Sequence, residues 1–387
     1  MKLSLFVVLA RLALLAATGS RPRRRNVGKS TQFSKRNNLT DVHYTNSDLS
    51  IRDTECCKHT GHSGPSDHPP MISVPLEKNM KTLVWTAMMS IENIEFTGKV
   101  LVDTGAIDLL VFPHKDLPEN MSGQMPETFD ISYMDNRRVE GIVHSGTVSL
   151  GSIILDNQYF GGARRVVTGY FEWDGVLGLP PFPAVRSSIH HPNFLHEAIK
   201  QHKIFPKFAI KPGAAPQLHF GIDHDAYTSS IEYHKIVVDA IDWTLKDCYI
   251  TVQRPGQHGT VSILQLPIHR THIDSGAGLI FGDPRTVKGL YKELGGKKSE
   301  NSWVLPCHKK PAISISWGKG KDWKIHQFNL GLLYEGSPNC IGAIQETFGS
   351  DWTVGAVFLE HVYSVYDVAE MKVGFAELSA HAHVSHH

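Results

Sequence analysis

Val100-Leu101-Val102-Asp103-Thr104-Gly105-Ala106 has a counterpart later in the chain, Thr271-His272-Ile273-Asp274-Ser275-Gly276-Ala277. In each, Asp-(Thr/Ser)-Gly-Ala follows a β-branched residue. Each is followed at a distance by an apolar-apolar-Gly element: Asp174-Gly175-Val176-Leu177-Gly178-Leu179 after the first, Trp352-Thr353-Val354-Gly355-Ala356-Val357-Phe358 after the second. A single Asp-Thr-Gly carries little weight, because Asp and Gly are turn residues and most such triplets are turns. Two copies, each with the same second element in the same order, indicate a duplicated unit.

The chemistry of that unit follows from its residue types. A strand ending on Asp-Thr-Gly presents a carboxylate on a turn. Thr104 and Ser275 each supply a hydroxyl able to hydrogen-bond across to the twin loop, and Gly105 and Gly276 let backbone approach a carboxylate closely. Two such loops meeting about a pseudo-twofold would bring Asp103 and Asp274 within hydrogen-bonding reach. Like charges that close cannot both ionise, so one proton is shared and the two apparent pKa values separate. Such a pair is a base and an acid at once: one carboxylate activates water, while the other, protonated, polarises an amide carbonyl. The scheme requires no cofactor, metal or covalent nucleophile.

Around this unit the chain reads as short β-branched or alternating runs punctuated by Gly, Pro and Asn, such as Thr82–Met88, Leu109–Phe112, Gly146–Leu150 and Ile153–Leu155, which predicts an all-β protein. Pro192–Lys200 is the one helical segment singled out, with Phe194, Leu195, Ala198 and Ile199 on one face. A second strand-rich block runs from Leu218 to about Glu377. The 387 residues suffice for two cores of ordinary size. With 39 basic against 38 acidic residues and no long run of one sign, neither a nucleic-acid footprint nor a membrane-binding patch is expected.

The ends differ in character. Residues 1–19 read as a signal peptide, an apolar stretch interrupted by Arg11 and shorter than the roughly 20 residues of a membrane span. Residues 20–75 are polar, with basic clusters at Arg21–Arg25 and Lys35-Arg36 that suit either processing or a solvated linker, and they bury too little to fold alone. Asn38-Leu39-Thr40 and Asn120-Met121-Ser122 are glycosylation sequons consistent with export. Export is the expectation, with a vacuole or lysosome-like compartment as the alternative. Of five cysteines at least one must stay outside intrachain pairing; Cys307 and Cys340 are candidates for a disulfide, and Cys248 lies in a strand pattern as a buried thiol. Cys56-Cys57 with His59, His62 and His68 match no zinc spacing, and the tail histidines His381, His383, His386 and His387 read as a solvated end; no metal is expected.

On these motifs the chain resembles the pepsin-like aspartic peptidases from about Val84 to Glu377. Asp130-Ile131-Ser132-Tyr133, then Gly141 and Gly146-Thr147-Val148, look like the family's flap hairpin with Tyr133 as its tyrosine. Phe171–Leu179, the Phe194-Leu195 helix ahead of Ile204-Phe205, and the closing segments Val354–Phe358, Tyr363–Asp367 and Lys372–Ala376 are similar to family elements, and Cys307 and Cys340 fall where the family places a disulfide. The resemblance implies a bilobal fold of two β-barrel-like lobes, residues 76–215 and 216–380, with a cleft between them, a few short helices and a tail at 381–387. It implies a monomeric endopeptidase, made as a precursor, with Asp103 and Asp274 catalytic. Tyr133, Gly105, Gly276, Thr104 and Ser275 would contact an extended polypeptide substrate.

Departures from the family pattern set further expectations. Ala106 and Ala277 replace hydroxyl residues that donate to the carboxylates, so the pair should titrate higher than in pepsin and work at mildly acidic pH. Leu110 stands where relatives carry a tryptophan that hydrogen-bonds the flap tyrosine. The flap tip, Met134-Asp135-Asn136-Arg137-Arg138, is unusual; both arginines are expected in solvent, with recognition of acidic substrate residues the lesser reading. Asp108 and Asp283 read as turn or surface carboxylates, and Tyr170 and Phe171 as either pocket lining or core. Such erosion leaves one alternative within the fold, a non-catalytic peptide-binding member, and one outside it, a β-rich protein with accidental motifs.

Overall fold

The computed structural model describes residues 70–112, 124–133, 136–182, 187–238, 240–255, 261–309, 311–325, 329–332, 336–347 and 349–379. The expected leader, the basic clusters, Cys56, Cys57, both sequons and the histidine tail lie outside them. Among the described residues no helix is long and apolar enough to cross a membrane, and no group of three or more metal-ligating side chains occurs.

The predicted all-β, two-lobed class holds. Among the described residues, sheets of 13, 7 and 4 strands form, with few short helices. The strand Ile72–Lys78 joins two parts of the largest sheet. Its first half pairs antiparallel with Gln217–Phe220, from Ile72 opposite Phe220, and its second half with Trp85–Ile91, from Leu76 opposite Ala87. The strands Val362–Asp367 and Lys372–Glu377 enter the same sheet, the former pairing with Lys207–Lys211. Both ends of the described chain therefore share one sheet.

Phe96–Asp103 shows how the sequence places the first carboxylate. Its early residues alternate buried and exposed, and its last four, Val100 to Asp103, are all buried. A strand covered on both faces reads as a continuous apolar run. It pairs in parallel with Gly175–Gly178, Asp103 opposite Gly178, and that strand pairs antiparallel with Leu109–Val111. The later half repeats this: Val261–Ile273 runs parallel to Trp352–Val354, Ile273 opposite Val354, and Trp352–Val354 pairs antiparallel with Ile280–Gly282. The apolar-Gly elements are thus the strands that flank each Asp-(Thr/Ser)-Gly strand, which is why they recur in the same order.

The predicted helix forms over Phe194–Lys200; the Asn193 side chain accepts from the His196 amide at its start, and the four forecast apolar residues are buried. A longer helix, Pro284–Leu294, was not anticipated. Its signals are nonetheless standard: Asp283 as N-cap, Pro284 in the first turn and Gly295 in the left-handed conformation after the end. Asp283, expected to be a turn or surface carboxylate, is this cap and also accepts from Trp352 Nε1. Ala356–Leu359, read with the closing strands, is a short helical turn. Cys307 and Cys340 form a disulfide, and Cys248 is a buried free cysteine.

Candidate active site

The two Asp-(Thr/Ser)-Gly loops meet and lock reciprocally. Thr104 Oγ1 donates to the Ile273 carbonyl at 2.8 Å and accepts from the Ser275 amide at 2.9 Å; Ser275 Oγ donates to the Val102 carbonyl at 2.7 Å and accepts from the Thr104 amide at 3.0 Å. Both residues are fully buried, so each hydroxyl satisfies one donor and one acceptor that would otherwise be orphaned at the interface of the loops. The role foreseen for these hydroxyls, bonding across to the twin loop, is the one they have.

The glycines explain the closeness. A Cβ on Gly105 would lie 2.6 Å from the carboxyl carbon of Asp274, and one on Gly276 would lie 2.4 Å from that of Asp103. Each carboxylate also accepts its own loop's glycine amide at 2.8 Å, Gly105 to Asp103 and Gly276 to Asp274. Behind them, the Leu179 amide donates to the Asp103 carbonyl at 2.9 Å and the Asp274 amide to the Val354 carbonyl at 3.1 Å, tying each aspartate to its apolar-Gly strand. Trp243 Nε1 donates to the Leu179 carbonyl at 2.7 Å, and its ring packs on Tyr366 and Phe208 beneath the loops.

Asp103 and Asp274 hydrogen-bond each other, and both have raised pKa values. Burial is the main cause for each; for Asp274 the neighbouring Asp103 charge adds to it and holds the carboxyl well above its ordinary value. Hydrogen bonds from the Gly105 and Ala106 amides, and the positive charge of Arg137, pull Asp103 partly back. The pair therefore holds one proton more firmly than an ordinary carboxyl would.

The surroundings differ from expectation in several places. Asp108 is buried rather than at the surface: it accepts from the Ser187 hydroxyl and, at 3.0 Å, from the Ser188 amide. Burial raises its pKa. Leu110 is buried in a cluster with Phe129, Phe171, Trp173 and Val176, and Tyr133 and Ala106 pack against that cluster. Tyr133 meets Phe171 edge-on with ring centroids 5.7 Å apart. Phe171 is thus buried, whereas Tyr170 is exposed. The two flap arginines part company. Arg138 pairs with Asp130 at the surface, but Arg137 turns inward, its guanidinium over Phe171 and Trp173.

Sequence reading also missed the pair Asp242 and His272. His272 Nδ1 lies 2.8 Å from Asp242 Oδ2, two residues before Asp274 along the strand. Burial opposes the charged form of each, yet their mutual hydrogen bond and attraction win: His272 is raised and Asp242 lowered. The strand register that sets Thr244 opposite His272 brings them together, and no local pattern announces it.

A family model described as "Eukaryotic aspartyl protease" matches residues 120–378, well over half the chain. The chain belongs to this family. The matched span contains Asp274 and begins after Asp103. An aspartic protease from Phaffia rhodozyma is 28% identical over 321 residues, covering 76% of each chain. Aspergillopepsin-1 from Aspergillus oryzae is 27% identical over 306 residues, 71% of this chain and 72% of that one. Penicillopepsin-1 from Penicillium rubens is 27% identical over 313 residues, 73% and 75%. The crystal structure of an aspartic proteinase from Irpex lacteus superposes with a TM-score of 0.65 at 19% identity, covering 80% of this chain and 98% of that one, a likeness of fold. This protease family member is accordingly an aspartic-type endopeptidase.

Proposed function

We propose that Asp103 and Asp274 are the catalytic pair of this endopeptidase and that they hydrolyse peptide bonds by activating a single water. The observation that supports this reading best is the reciprocal Thr104–Ser275 lock, which sets the two carboxyls face to face and leaves neither loop free to withdraw. The ionised member accepts a proton from water as its oxygen attacks the scissile carbonyl carbon. The protonated member donates to the carbonyl oxygen, giving a neutral tetrahedral diol. Protonation of the amide nitrogen by the first carboxyl and return of a hydroxyl proton to the second then break the carbon–nitrogen bond and restore the starting state.

The polypeptide would lie extended between the lobes, beneath the hairpin formed by Gln124–Ser132 and Arg138–Leu150, with Tyr133 at its turn. Backbone groups of an extended chain can pair with such edges, leaving side chains to fill subsites. The chain would be exported by a cleaved leader as a precursor, act as a monomer and shed a polar N-terminal segment; the expected boundary at residue 75 falls inside the strand Ile72–Lys78, so the cut would lie ahead of Ile72.

Digestion of denatured globin across pH 3 to 7, with and without a statine-type transition-state peptide, tests this reading. Cleavage that the inhibitor and Asp274→Asn each abolish is expected. Cleavage indifferent to both would contradict it.

A further inference from the structure

Trp243 is hydrogen-bonded to both halves of the site. Its indole N–H donates to the Leu179 carbonyl at 2.7 Å, and the Leu179 amide in turn donates to the Asp103 carbonyl at 2.9 Å. On the other side the Trp243 carbonyl accepts from the Ile273 amide at 3.1 Å, and Ile273, the residue before Asp274, accepts from Thr104 through its own carbonyl. One fully buried residue therefore reaches from the flank of the first aspartate to the root of the second.

What seats Trp243 is a side-chain clasp formed by its two neighbours. Asp242, just before it, accepts from His272 Nδ1 at 2.8 Å and from the hydroxyl of Thr244, just after it; that hydroxyl itself lies 2.9 Å from His272 Nδ1. The Thr244 amide also donates to the Asp242 carbonyl at 2.8 Å. The chain ahead of the clasp gives it little help, since Val238 and Ile241 are both exposed. His272 is placed to be the anchor. Thr271, Ile273 and Ser275 are buried, whereas His272 and Asp274 are less so, an alternation that sets the imidazole and the carboxyl on one face. The other charged groups around the imidazole are Asp351, 3.7 Å from Nε2, and Arg270, whose Nε is 3.5 Å from Asp351.

We propose that Asp242 is a positioning residue for peptide-bond hydrolysis: by clasping His272 and Thr244 it holds Trp243 in the seat from which it fixes the approach of Asp103 to Asp274. This rests on the catalytic reading of the two aspartates given above. The Thr104–Ser275 lock joins the two loops directly, and Trp243 joins them from behind. A shift of the indole moves Leu179 and Ile273, and with them the carboxyls. A misplacement of about 1 Å, caused by a change away from the chemistry, can cost about 100-fold in rate.

Two variants separate charge from geometry. Asp242→Asn discards the charge and keeps an acceptor oxygen in place, whereas Asp242→Glu keeps the charge and displaces the carboxyl by one methylene. At each variant's own optimum pH, kcat is expected to be about 10- to 100-fold lower in Asp242→Glu than in Asp242→Asn, with little change in KM. A ratio near one, or a loss confined to KM, overturns the proposal. So does the reversed ratio, the mark of a purely electrostatic role, and so does a fall in urea stability with no fall in kcat, the mark of a merely structural one. Thr244→Val also keeps the charge while unfastening the clasp; it should lower kcat in the same way and serves where Asp242→Glu does not fold. Trp243→Phe removes the indole donor, and adding Asp242→Glu to it should cost little more, because both act through one contact. A fully additive loss overturns the route through Trp243.

Carbon-13 NMR titration of the Asp103 and Asp274 carboxyls reads the same geometry without catalysis. Carboxyls that approach less closely interact less, so their apparent pKa values should lie closer together in Asp242→Glu than in Asp242→Asn. That narrowing upholds the positioning of the pair even if Asp103→Asn still cleaves, in which case the catalytic assignment alone falls. Equal separation in the two variants overturns the positioning role.

Discussion

Thr104 and Ser275 hold each other's loops: the hydroxyl of each is at once donor to a carbonyl just before the opposite aspartate and acceptor for the other's amide. Thr104→Val keeps the volume and removes the hydroxyl, stranding the Ile273 carbonyl and the Ser275 amide in a fully buried setting. Leaving buried groups unsatisfied costs about 1–3 kcal/mol each. Urea unfolding of Thr104→Val should show a loss of that order, and kcat should fall further than stability requires because the carboxyls lose their fixed approach. Ser275→Ala should behave alike; an unchanged kcat in both would show that the lock is not what positions the pair.

A carboxyl whose pKa is raised by folding lends its stability fully below its unfolded value, and that contribution is lost as pH rises through the folded pKa. Asp274 is raised by burial first and by Asp103 second. Asp274→Asn should therefore stabilise the protein at pH 7, by about 1.4 kcal/mol for every tenfold by which folding strengthens the carboxyl's hold on its proton, and make little difference near pH 3.5, where the unfolded carboxyl is also largely protonated. Denaturant unfolding at both values checks the sign. A stabilisation of equal size at both, or none at pH 7, would contradict it.

Ala106 and Ala277 give no hydroxyl to the carboxylates. Restoring one with Ala106→Ser favours the ionised form of Asp103, so the pH–kcat/KM profile should move toward acid, by roughly half a pH unit for one hydrogen bond in this setting. The wild-type optimum should accordingly lie at mildly acidic pH, and an optimum near pH 2 would refute that.

His272, held cationic by Asp242, feels the Asp274 charge, and by reciprocity its charge favours ionised Asp274. The other groups around it are Arg270 and Asp351, the latter 3.7 Å from Nε2. His272→Gln removes the cation and leaves Asp242 facing Asp274, and both changes raise the pair's proton affinity. The acid limb of the kcat/KM profile should move upward by roughly half a pH unit. An unmoved limb would show that the pair is electrostatically separate from the site, and a move toward acid would contradict the sign.

The legible part of this fold is the part whose chemistry admits few residue types. Asp103-Thr104-Gly105 and Asp274-Ser275-Gly276 could be read because a carboxylate, a bridging hydroxyl and a closely approached backbone allow almost no substitutes. The Phe194–Lys200 helix was readable from its apolar face, and Cys307 with Cys340 from their place. Arg137 was not, since which of two adjacent flap arginines turns inward depends on Gly169, more than thirty residues later. The sheet shared by Ile72–Lys78 and the closing strands, and the pairing of Asp242 with His272, are set by register between distant segments. Pro284–Leu294 was signalled locally by Asp283, Pro284 and Gly295, and was passed over because the surrounding pattern is so strongly that of strands.

Asp103 lies before the span that the family model matches, so its partnership with Asp274 rests on the geometry of the two loops. Its decisive measurement is kcat/KM of Asp103→Asn on a peptide that the wild type cleaves, at the wild-type optimum. Loss of general acid–base function predicts a fall of roughly 100- to 10,000-fold with the peptide still bound. Retention of wild-type kcat/KM would contradict the account.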